Sequence, residues 1–189
     1  PFTAVDFAAG EFIRDRRART ELAVLSDNGS IYYLANGTLD RRPFTEAEVR
    51  ASFAKNGRGR TVIVDSTDTA SALANDWSVA EQQDLGLFNL VRPNAQPLLR
   101  RAAITGNETD DLLVVDPSTN HAKVLFKEPV YGPNRLAFTG DTQVEDLGFA
   151  SGIAAALPIR LNVMGQQGIA VLEDGKLEAT PVLFAPQAT

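Results

Sequence analysis

Cysteine is absent from this chain of 189 residues. Its absence excludes disulfides, thiolate metal sites and cysteine nucleophiles together. It does not fix a compartment, because surface proteins can also lack cysteine. Histidine occurs once, at His121. A serine triad or a histidine metal site needs convergent partners, so neither is expected. No apolar run approaches the length of a membrane-spanning helix, and no membrane span is expected. Positive charge is also in deficit. The net charge of −6 argues against nucleic acid as a partner, since duplex binding needs a basic face. The chain does not open on methionine and carries no signal-peptide pattern, so a processed product, a trimmed form or a fragment is expected. The apolar fraction of 44% is ordinary for a folded protein, and the length suits one core or a small array of repeats.

One phrase occurs three times. Small or apolar residues lead into a polar stretch, and a short apolar strand follows. The first copy runs from Ala8-Ala9-Gly10-Glu11-Phe12 through a basic loop to Glu21-Leu22-Ala23-Val24-Leu25. The second runs from Ala102-Ala103-Ile104-Thr105-Gly106-Asn107 to Asp111-Leu112-Leu113-Val114-Val115. The third runs from Leu157-Pro158-Ile159 to Ile169-Ala170-Val171-Leu172. Such repetition indicates stacked β units.

Each strand is followed by a turn and a returning strand. Ser26-Asp27-Asn28-Gly29 leads to Ser30–Leu34, and Asp116-Pro117-Ser118-Thr119-Asn120 leads to Ala122–Phe126. Glu173-Asp174-Gly175 leads to Lys176-Leu177-Glu178. Asn-Gly and Asp-Gly between apolar runs are strong hairpin signals. Leu22 and Leu112 are 90 positions apart, whereas Leu112 and Ile169 are 57 apart. The longer gap holds an insertion. There Thr45 and Glu48 form a capping-box pattern, Val49 and Phe53 share one face, and a short helix is expected near 46–55. Arg60–Val64 and Trp77–Val79 read as further strands.

The phrase resembles the FG-GAP/VCBS family of β-propeller repeats, to which integrin α-subunit heads belong. Gly10-Glu11-Phe12 with Glu21-Leu22-Ala23-Val24 carries the likeness in the first copy, and Ile104-Thr105-Gly106-Asn107 with Thr109-Asp110-Asp111-Leu112 in the second. The third copy retains Arg160-Leu161-Asn162 and the strand. The resemblance implies an all-β fold, a partial β-propeller of about three to four antiparallel blades. The chain is then a single segment, 1–189, with approximate units 1–40, 41–96, 97–150 and 151–189. The second of these is an insertion or an extra blade. The family often holds calcium in its Asp-rich loop. The first loop offers Arg14, Arg16, Arg17 and Arg19 in place of carboxylates. Only Asn107, Glu108, Asp110 and Asp111 of the second could ligate calcium, and a polar turn bonded to nearby backbone N–H groups is the alternative.

Three Asn-x-Ser/Thr sequons, at Asn28, Asn36 and Asn107, are glycosylation candidates. The first two are read as Asn-Gly turn formers. Trp77, Tyr32, Tyr33 and Phe88 are expected to pack between blades, with sugar stacking as the alternative. Ser151 misses the nucleophile-elbow pattern by one position. No catalytic residue is assigned.

Propellers close with about four to eight blades, so three recognisable units with part of a fourth are too few for a familiar ring. The expectation is therefore a non-enzymatic extracellular or cell-surface protein, structural or adhesive. It would assemble through exposed blade edges with further copies of itself, or with the remainder of a propeller, as a ring or filament. A carbohydrate-binding module taking glycans, or part of a polysaccharide-active enzyme, stays open as the alternative.

Overall fold

The computed structural model describes residues 2–16, 19–42, 45, 47–48, 76–86, 98–106, 109–116, 120–131, 137–160 and 167–182. Every element among them is a β-strand, and all pairing is antiparallel. β1 (Ala4–Gly10), β2 (Glu21–Ser26), β3 (Ser30–Asn36) and β4 (Trp77–Asp84) form a first sheet in chain order. β5 (Leu98–Ala102), β6 (Asp111–Asp116), β7 (His121–Tyr131) and β8 (Ala137–Gly148) form a second. β9 (Ile153–Arg160), β10 (Gln167–Glu173) and β11 (Thr180–Val182) form a third, again in chain order. None of these sheets closes on itself. Among the described residues no helix is long and apolar enough to cross a membrane.

A left-handed residue immediately precedes the third strand of each of the first two sheets. Gly29 (φ 80°) precedes β3 and Asn120 (φ 60°) precedes β7. Glycine reaches this conformation without a Cβ penalty, and asparagine is the side chain that best tolerates it. Asn28 completes the first turn by accepting from the Ser30 N–H at 3.0 Å.

The second sheet is packed between the other two. All six residues of β6 are buried, and alternation divides them between two cores. Leu112 and Val114 join Leu99 and Leu125 against Ala23, Leu25, Ile31 and Tyr33 of the first sheet. Leu113 and Val115 join Ala122 and Val124 against Ile153, Ala156, Ile169 and Val171 of the third. Each such Leu, Ile or Val contributes roughly 1.5–3 kcal/mol when fully buried. β1 lies beside β5, and β5 beside β9, so the first strands of the three sheets adjoin.

Several sequence expectations shift. The first and third small-residue lead-ins lie within strands, β1 and β9, and the second begins at Ala102, where β5 ends. The returning strand expected over Lys176–Glu178 is displaced to β11, because Leu177 lies fully exposed and pairing with β10 resumes only at Thr180. β4, which lies within 41–96, is the fourth strand of the first sheet. The helix expected near 46–55 lies outside the described residues except at Ala47 and Glu48. There the reciprocal bonds of a capping box are present: Glu48 Oε2 accepts from the Thr45 N–H at 2.6 Å, and the Glu48 N–H donates to Thr45 Oγ1 at 3.3 Å. The strand expected at Arg60–Val64 also lies outside the described residues.

Candidate functional site

An acidic residue opens the second strand of each of the first two sheets and reaches back to the loop before it. Glu21 Oε2 accepts from the N–H groups of Phe12 (2.7 Å) and Ile13 (3.2 Å). Asp111 Oδ2 accepts from Ile104 (2.6 Å) and Thr105 (2.7 Å), and its Oδ1 takes the Thr105 hydroxyl at 2.8 Å. Both carboxyls are fully buried. Burial pushes Glu21 up to about 7, with Glu11 and Asp15 adding to the rise and the two N–H bonds opposing it. Burial likewise raises Asp111, against the bonds from Thr105 and Ile104. In the third sheet the corresponding position is Gly168, which has no such carboxyl.

Asp110 serves a different purpose. Its Oδ2 accepts from the Glu11 N–H at 2.8 Å and pairs with Arg101 at 2.9 Å, while its own N–H donates to the Glu11 carbonyl at 2.7 Å. It thus ties the second sheet to the first. A Cβ on Gly10 would lie 2.9 Å from that carboxylate and 2.7 Å from the Phe12 ring, so the Gly10-Glu11-Phe12 phrase leaves room for the link. The calcium candidates are therefore divided. Asp110 and Asp111 engage protein donors in separate places, and Asn107 and Glu108 lie outside the described residues. Among the described residues no group of three or more potential ligands gathers.

In the first loop, cations brace the chain. Asp15, whose side chain is buried, accepts from Arg19 Nε at 2.7 Å and from the Asp40 N–H at 2.8 Å. Arg19 also donates to the carbonyls of Asn36 (2.5 Å) and Thr38 (2.6 Å). One guanidinium so cross-links a loop and a strand end that carboxylates could join only through a bound cation. Asn36 adjoins this brace. Asn28 lies in its turn, with Nδ2 3.4 Å from the Tyr32 hydroxyl. Asn107, the third sequon, is outside the described residues.

His121 opens β7. Its Nδ1 is 2.6 Å from Asp146 Oδ1, whose other oxygen accepts from Lys123 at 3.0 Å. Burial works against the charge on Asp146, but these two partners outweigh it and hold the carboxyl below its usual range. The Ser151 hydroxyl donates to Glu173 at 2.7 Å. Tyr33 is buried between the first and second sheets, and burial raises its hydroxyl well above the usual range. Tyr32 stacks on Phe2, with ring centroids 4.1 Å apart, and Trp77 is exposed. Phe88 lies outside the described residues.

The remaining feature is the pair of outward sheet faces, invisible to a reading of local motifs. Aligning the last residues of β2, β6 and β10 (Ser26, Asp116 and Glu173) makes Leu22, Leu112 and Ile169 equivalent, and likewise Val24, Val114 and Val171. Their cross-strand partners make Phe7, Leu99 and Ala156 equivalent. In the second sheet this face lies under the first sheet, and Leu99 is 2% exposed. In the third it lies against the second. In the first it faces outward, and Phe7 is 68% exposed, with Trp77 and Val79 exposed on the same face. The opposite face is carried by Ala23 and Leu25 in the first sheet and by Leu113 and Val115 in the second, all buried. Its third copy, Ala170 and Leu172 beside Leu157, looks outward, and Leu157 is 53% exposed. Comparison of the chain with family models, curated proteins and solved structures finds no match.

Proposed function

We propose that this chain is a non-enzymatic, extracellular or cell-surface segment of β-propeller type, and that its work is structural or adhesive association. The three meanders stand side by side with their first strands adjoining, as blades stand around a propeller axis. The observation that carries the reading is that, among the described residues, the row of sheets ends on faces with exposed apolar side chains, Phe7, Trp77 and Val79 at one end and Leu157 at the other. Exposed apolar patches of this kind mark sites of protein association. The non-enzymatic part rests on the sequence, which offers one histidine and no cysteine. His121 is bonded to Asp146, and Ser151, in the bend between β8 and β9, to Glu173. The extracellular setting rests on the family resemblance.

Negative-stain electron microscopy of the purified chain tests this. Rings or filaments much larger than one 20.3 kDa chain are expected. A field free of such particles at every concentration examined contradicts it. A second reading, a carbohydrate-binding module, is favoured by exposed Trp77 alone. It predicts glycan-array binding that Trp77→Ala abolishes.

A further inference from the structure

The geometry points to a second copy of this chain as the occupant of the open face on the first sheet, docked through the outward face of its own third sheet. The inference rests on the association reading above and names the surfaces and their polarity.

Two interfaces of one kind already exist inside the molecule. At each of them, a face of the Ala23/Leu25 kind covers a face of the Leu112/Val114 kind. The first sheet covers the second in this way, and the second covers the third. The polarity is the same both times. Among the described residues, the Leu112/Val114-type face of the first sheet has no sheet against it: Phe7, Trp77 and Val79 are exposed there, beside half-buried Leu22 and buried Val24. Among the described residues, the Ala23/Leu25-type face of the third sheet likewise has no sheet against it: Leu157 is exposed there, beside half-buried Ala170 and Leu172. Each end therefore presents what the other end's internal counterparts accept. Two chains in series would repeat the internal interface, and the molecule itself supplies the pattern for the docking.

Such a contact is heterologous, using a different patch on each partner. It generates a closed ring or an open filament, depending on the rotation per chain. It differs from strand addition at an edge, because backbone hydrogen bonds need not be exchanged. It also differs from a face-to-face dimer, in which Phe7 would meet the same surface on its partner.

The internal register gives a specific neighbour. The Leu99 N–H donates to the Asp6 carboxylate at 2.8 Å, so those two positions meet between the first and second sheets. Phe7 is the counterpart of Leu99. Ala155, paired with Leu172 as Asp6 is paired with Leu25, is the counterpart of Asp6. Phe7 of one copy should then lie beside Ala155 of the next.

Because the chain has no cysteine, introduced thiols report without background. Phe7→Cys and Ala155→Cys chains are made separately, mixed, and oxidised in the full chain. A disulfide requires Cβ atoms within about 4.5 Å, so it reads geometry directly. The expected result is a mixed-disulfide dimer, several-fold more abundant than either self-linked dimer. The double variant should give a ladder of oligomers on a non-reducing gel. Self-linked Phe7→Cys dimers in excess would show a face-to-face contact and overturn the inference while sparing the association reading. Association that survives both Phe7→Lys and Leu157→Lys, with no cross-link formed, would place assembly elsewhere and likewise overturn it. A wild-type chain that stays monomeric, with no cross-link, would overturn both. Retained far-UV circular dichroism in each variant confirms that the outcome is not a failure to fold.

Discussion

The first and second sheets share a topology, a register and a hydrophobic pattern, yet one of their corresponding faces has opposite surroundings. Leu99 sits 2% exposed beneath the first sheet, and its counterpart Phe7 is 68% exposed. The same strand logic, with apolar residues at alternate positions, builds core in one place and surface in the other. Among the described residues, the difference at Phe7 and Leu99 is whether another sheet lies against them. A repeat unit cannot bury its outer face alone, so its ends are either capped by polar residues or completed by a neighbour. Here the end faces carry exposed Phe7, Trp77 and Val79 on the first sheet and Leu157 on the third, and that is the physical content of the association reading.

The comparison breaks most sharply on truncation. Leu99→Ala should lower unfolding free energy by about 2–5 kcal/mol, as a buried cavity does, whereas Phe7→Ala should stay within about 0.5 kcal/mol in dilute solution. Urea denaturation at low protein concentration measures both, and equal losses would remove the distinction. Next in size is Asp111→Ala. It leaves the N–H groups of Ile104 and Thr105 without their acceptor and should destabilise by about 2–3 kcal/mol. Glu21→Ala should be milder, because Glu21 Oε1 is buried without a hydrogen-bond partner and its burial already carries a penalty.

Glu21 also gives the first sheet a pH dependence. Below its ordinary value of 4.5 the carboxyl is protonated whether the chain is folded or not. Between 4.5 and about 7 the unfolded chain releases the proton while the folded chain retains it, so stability falls as pH rises. Above that window both forms are ionised and the penalty is constant. The loss should be on the order of 1–3 kcal/mol. Glu21→Gln should flatten the profile in thermal melts from pH 5 to 8, and an unchanged slope would assign the dependence elsewhere. The smallest expected effect is that of calcium. With Asp110 and Asp111 engaged by protein donors, millimolar calcium should leave the melting temperature unchanged, and a rise of several degrees would reveal a bound ion.

Much of this architecture is legible in the residues. The turns at Asn28-Gly29 and Asn120 announce the central hairpins, and the Leu22–Leu25 and Leu112–Val115 runs announce strands. The inner strands are harder to see. Ala4–Gly10 and Ile153–Arg160 are rich in alanine, which favours no strand by itself, and pairing with β2 and β10 decides their conformation. β8 is obscured by Asp141, Glu145 and Asp146, charges that suit an outer strand but read locally as a loop. Glu21 and Asp111 are visible as acids. Their role as buried loop anchors depends on which residues fold back above them, and no local spacing reveals it. The open faces are least legible, since Phe7 and Leu99 are both apolar residues at the same register position and differ in exposure through their neighbours.

Sedimentation velocity of the wild-type chain over a wide concentration range tests the central claim most directly, with Phe7→Lys run alongside. The account predicts a sedimentation coefficient that climbs with concentration past the dimer, and collapse to a single slow species in the variant. One concentration-independent boundary at the mass of a single chain, unchanged by the substitution, would contradict it.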